Sequence, residues 1–119
     1  MDKNTSSFED YDNRELALKF TESRGTDKNT GAEIMRRVII KAGLNPDEWS
    51  ERILKSNSGE PVRDSEGNLV KVADYLCDTP LDPMHQRMAA RGILEFLLAG
   101  SISPEERMAM ADTIIQRTL

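Results

Sequence analysis

A chain of 119 residues is one domain's worth, able to bury roughly two-thirds of the surface its unfolded form exposes. Leu, Ile, Val and Phe number only 26, so the core is small, and 16 basic against 21 acidic residues leave a net charge of −5, which disfavours coating nucleic acid or anionic lipid. One cysteine excludes an internal disulfide, and one cysteine with one histidine excludes a zinc cage built of those residues alone.

Residues 1–11 hold Met1, Phe8 and Tyr11 as their large apolar groups, too few to offset the cost of ordering, and read as a flexible tail. The N-terminus carries no apolar signal core, and no apolar run approaches the ~20 residues of a membrane span, so a cytoplasmic protein without membrane contact is expected. Residues 12–119 form one helical domain, divided into N-terminal helices at 12–56, a hairpin or loop at 57–70 and C-terminal helices at 71–119.

Helix starts are marked by an oxygen-bearing residue followed three positions later by Glu, whose carboxylate can reach back to the free N–H of the cap. Asp12 with Glu15 opens a first helix carrying Leu16, Ala17, Leu18 and Phe20, which should end near Gly25. Thr30 with Glu33 predicts a second, with Ala32, Met35, Ile39 and Ala42 on one stripe, widened by Ile34 and Val38 and stopped by Gly43. Asn45 with Glu48 predicts a third, with Pro46 at its first position and Trp49 and Ile53 on a shared face. Between Pro61 and Val70 two extended arms surround a Gly-containing turn, which predicts a small β-hairpin; residues 69–77 fit both alternation and helical spacing. Asp82-Pro83 then opens a helix with Met84, Met88, Ala89, Ile93, Phe96 and Leu97, and Ser103 with Glu106 opens another with Met108, Ala111, Ile114 and Ile115. Their short connection predicts an antiparallel helical hairpin, with Ile93, Phe96 and Leu97 against Ala111, Ile114 and Ile115. The expected fold is a mainly α bundle of about five helices with a short β-hairpin insertion and a C-terminal helical hairpin.

No nucleophile motif, phosphate loop or metal-ligand spacing is present, so no catalytic, cofactor or metal residue is expected. His85 lies in the first turn of its helix, eight residues from Cys77 across a proline-bounded break, and reads as an ordinary histidine. Asp64-Ser65-Glu66-Gly67-Asn68 has the look of part of a calcium loop, but the sixth residue after Gly67 is Ala73, where a bidentate acid is needed. The acid-rich stretch, Glu66, Asp74 and Asp78 included, reads better as a docking surface for a basic partner. The last helix is apolar at 108, 110, 111, 114 and 115, a band wider than one neighbour uses, so Met108, Met110 and Ile114 are candidates for contact with a protein partner or a second copy. Arg36, Arg37, Lys41, Arg52 and Lys55 make residues 31–58 the one stretch with a basic surplus, and are the phosphate contacts of an alternative nucleic-acid reading. Glu33 and Glu48 can pair with Arg37 and Arg52 at i, i+4, which weakens that alternative.

Leu81-Asp82-Pro83-Met84-His85-Gln86-Arg87-Met88-Ala89-Ala90-Arg91-Gly92-Ile93-Leu94-Glu95-Phe96-Leu97-Leu98 resembles the Asp-Pro-initiated, Arg-Ala-Ala-containing helix of some bacteriophage terminase small subunits. That resemblance implies a ring-forming helical protein that recognises phage DNA and hands it to a nuclease-motor subunit. The DNA-reading motif expected before such a helix is missing here. The residues themselves favour a non-enzymatic interaction or assembly module, homo-oligomeric or bound to a protein partner.

Overall fold

The structure is a computed structural model and describes residues 8–77 and 83–119. Among these residues the chain is mainly α-helical: α1 (Asn13–Glu22), α2 (Lys28–Lys41), α3 (Pro46–Trp49), α4 (Pro83–Leu98) and α5 (Pro104–Gln116), with a 3-10 turn at Val72–Asp74. No helix among them is long and apolar enough to cross a membrane.

Two of the caps form as expected. The Asp12 carboxylate accepts the Glu15 N–H at 2.7 Å while Glu15 accepts the Asp12 N–H at 2.9 Å, and Ser103 and Glu106 repeat the exchange at the start of α5. α1 stops at Glu22, and Arg24 and Gly25 then take positive φ of 57° and 76° to turn the chain. The second cap is corrected. Asp27, not Thr30, starts α2, because its carboxylate accepts both the N–H and the hydroxyl of Thr30, at 3.2 and 2.9 Å, and leaves Thr30 fully buried inside the helix. The third is shortened. Asn45 caps α3 through the Asp47 N–H at 2.9 Å, but Glu48 reaches forward to Arg52, and the helix ends after one turn. Ile53 therefore shares no helical face with Trp49; its backbone bridges to Lys71 instead.

α2 is the hub. Gly31, Ile34, Met35, Val38, Ile39 and Ala42 are buried, and α1, α3, α4, α5 and the 3-10 turn all pack on this helix. The expected C-terminal helical hairpin is looser than its short connection suggested. α4 and α5 follow one another, but each takes its main packing from α2, which receives Ile93, Phe96 and Leu97 from one and Ile114 from the other. Ile115 points outward. The flexible tail is corrected at its end: Phe8 is buried, its ring edge-on to Tyr11 at 5.5 Å, and its carbonyl accepts the Arg37 guanidinium at 2.8 Å.

The β-hairpin expected within 57–70 is not formed; no strand occurs among the described residues. Single antiparallel bridges take its place, Lys55 with Pro61, Arg63 with Leu69 and Ile53 with Lys71. Their centres close a cycle: Leu54 N–H donates to the Val70 carbonyl, Val70 N–H to Val62, and Val62 N–H to Leu54, at 2.9 to 3.0 Å. Leu54, Val62 and Val70, spaced eight residues apart, are all buried in the core. The chain after Lys71 then passes directly into the 3-10 turn.

Two outcomes follow for stability. A Cβ at Gly31 would lie 2.8 Å from the Cys77 sulfur and 3.3 Å from the Phe20 ring. Gly31→Ala should therefore destabilise by about 1–3 kcal/mol of overpacking, even though Ala is favoured in a helix interior, and Cys77→Ala in the same chain should restore part of the loss; urea denaturation of the single and double variants measures the coupling. Burial alone would raise the Asp27 carboxyl, but the Thr30 hydrogen bonds, with the Lys19 ammonium 3.7 Å away, together hold it below its ordinary 3.8. A lowered folded value contributes stability above the unfolded value and loses it as pH falls through the folded one. Asp27→Asn, which keeps a capping oxygen, should be less stable than the parent at neutral pH, with the gap closing well below pH 3.8.

Candidate functional site

The basic residues expected to meet phosphate are largely engaged within the fold. Arg37 is clamped between α1 and α2: its guanidinium pairs with Glu33 at 2.8 Å and donates to Asn13 Oδ1 at 2.9 Å and to the Phe8 carbonyl. The Lys41 ammonium sits at the C-terminus of α4, donating to the carbonyls of Phe96, Leu97 and Ala99 at 2.8, 3.1 and 2.6 Å, where three backbone acceptors and the negative end of the helix dipole converge. Asn13 Nδ2 adds a bond to Leu97 O at 3.4 Å. Arg52 pairs with Glu48 and lies over the Trp49 ring at 4.1 Å. Lys55 is half-buried and Arg36 is exposed. Arg37, Lys41 and Arg52 thus each have partners within the fold.

The expected partner-binding residues are also separated. Met108 is exposed, Met110 is half-buried and lines the crevice between α4 and α5, and Ile114 belongs to the core, which removes it as a contact. Met110 and Ala111 of the same helix pack against that core as well. Glu66 is at the tip of the Asp64–Gly67 turn, where Asp64 accepts the N–H groups of Glu66 and Asn68 at 2.9 Å each, whereas Asp74 is on the 3-10 turn. Asp78, Asp82 and the His85 side chain lie outside the described residues. Among the described residues no group of three His, Cys, Asp or Glu side chains could hold a metal ion.

A different surface brings apolar and basic groups together. The end of α1 and the outward flank of α4 enclose an open groove of about 540 Å³, floored by Phe20, Leu76, Ala90, Leu94 and Leu98 and edged by Arg24, Arg87, Arg91, Gln86 and Glu95. The positive φ pair that ends α1 places Arg24 on this edge, and Gln86 Nε2 donates to Leu76 O at 3.1 Å, tying the start of α4 to the floor. Glu95 pairs with Arg91 at 3.1 Å, and the lining holds three arginines and one carboxylate. Met84 and Met88 extend α4's apolar surface, 68% and 64% exposed. The helical spacing of Arg87, Arg91, Leu94 and Leu98 (i, i+4, i+7, i+11) is visible in the sequence; what periodicity could not supply is that the Phe20–Gly25 end of α1 lies beside it.

Neither the family models, the curated proteins nor the solved structures contain a match to this chain.

Since Lys41 is a structural cap, Lys41→Met should lower stability by about 1.5–3 kcal/mol, the range for hydrogen bonds to a charged group. Chemical denaturation measures this.

Proposed function

We propose that this protein is a non-enzymatic interaction module whose α1/α4 groove receives a helix from a protein partner. The observation that carries the reading is the pairing, in one groove, of an apolar floor long enough for a helix with an edge of three arginines. Such an edge selects an amphipathic helix flanked by carboxylates: the apolar face supplies buried area, and the charges supply orientation and partner choice. Arginine on a half-exposed edge suits this role because its stem covers apolar surface while the planar head meets a carboxylate through two hydrogen bonds. The proposal keeps the interaction role suggested by the sequence and moves it from the acidic segment to the groove.

The test uses the intact protein and a labelled synthetic helix bearing Leu at i, i+4 and i+7 with Glu on both flanks. Fluorescence anisotropy should detect binding that weakens with salt, and Arg87→Glu with Arg91→Glu should reduce affinity at least about tenfold, or ~1.4 kcal/mol. A helix with Lys in place of Glu should not bind. Equal binding of both probes would remove the groove's claimed selectivity, and no binding of either would remove the function.

A further inference from the structure

α5 is apolar on two sides, and the core uses one of them. Ile114 is buried against α2, while Met108 and Ile115 are 65% and 43% exposed, with Leu119 exposed just beyond the helix. Glu105 and Asp112 interleave with them at i, i+3, i+7 and i+10 (105, 108, 112, 115), so a single exposed stripe alternates carboxylate and apolar side chain. This is the chemistry the groove asks for: a helix of 13 residues, about 20 Å long at 1.5 Å per residue, against a groove wall formed by the 16 residues of α4.

The stripe cannot reach the groove of its own molecule. α4 meets α5 across the flank beyond Glu95, which borders both surfaces; there Gly92, Phe96 and Ala99 line a crevice shared with Ala109, Met110 and Thr113. At 100° per residue, Met108 and Ile115 lie on the far side of α5 from Met110 and Thr113. The stripe therefore lies on the side of α5 turned away from α4 and its groove, and only a second molecule can bring them together.

We infer that the occupant of the groove is α5 of a second copy of this chain, its Glu105 and Asp112 meeting the Arg24, Arg87 and Arg91 edge while Met108 and Ile115 cover Leu94 and Leu98. The inference rests on the groove reading above and adds the identity of the partner. The contact is heterologous, one surface against a different one, so each molecule offers a donor stripe and an acceptor groove.

Sedimentation velocity of the full-length chain over a concentration series tests it. The parent should associate, more weakly as salt rises. Arg87→Glu/Arg91→Glu and Glu105→Lys/Asp112→Lys should each be monomeric alone. Mixed in equal amounts they should associate again, because the unchanged α5 of the first fits the unchanged groove of the second and the two reversed surfaces are complementary to each other as well. Circular dichroism and urea midpoints establish that both variants are folded; should either fail, Arg87→Ala/Arg91→Ala or Met108→Ser/Ile115→Ser takes its place. Association that survives the groove variant but is lost in the α5 variant would mean a symmetric α5 contact and overturn the inference. A parent that stays monomeric yet binds the Glu-flanked probe overturns self-pairing and leaves the groove reading standing. A parent that does neither overturns both.

Discussion

Nearly everything in this molecule depends on keeping one face of α2 dry. Gly31, Ile34, Met35, Val38, Ile39 and Ala42 have to be covered, and no single neighbour is large enough to do it, so α1, α3, α4, α5 and the 3-10 turn each cover a part. A chain with few large apolar residues has little choice: arranging short elements around one helix gives each of them a buried face without needing a second core layer. The same arrangement explains why α4 and α5 are splayed. Both compete for α2, and α2 supplies more buried contact than either can offer the other.

The polar flank of α2 secures what the apolar face gathers. Arg37 ties the chain before α1 to α1 and α2, and Lys41 closes the carbonyl end of α4, so two cations on successive turns fix three elements in register. Both donate to backbone carbonyls in part-buried surroundings, Arg37 to Phe8 and Lys41 to Phe96, Leu97 and Ala99, where a charge contributes more than in an exposed ion pair.

Local signals were legible in the sequence to the extent that they were local. The Asp12 and Ser103 boxes, the stop near Gly25 and the extents of α4 and α5 follow from side chains within four residues of one another. Thr30 misled because it has the same chemistry as a cap, and only the burial of α2 distinguishes a Thr that caps from one capped by Asp27. The bridges at residues 53–71 escaped for the opposite reason: two arms can be recognised by alternation, but the third, Ile53–Lys55, reads as the continuation of a helix until its partners are known. The groove depends on which flank of α4 meets α1, and periodicity identifies a face without naming its neighbour. Ile114 and Ile115 make the same point in one helix, since adjacent apolar residues must point apart and tertiary packing chooses between them.

The closed cycle of bridges at Leu54, Val62 and Val70 bears on colloidal behaviour. A two-armed hairpin leaves two unpaired margins, each a row of free N–H and C=O groups that another chain can extend into a sheet. Here each arm is paired on both sides, the first also bridging to Thr118, and no arm offers more than an isolated bridge. Cross-β growth therefore has no template in this segment. Its exposed turns at Gly59 and Gly67, with no atom close enough to crowd a Cβ, are suited to carry added chain without disturbing the core.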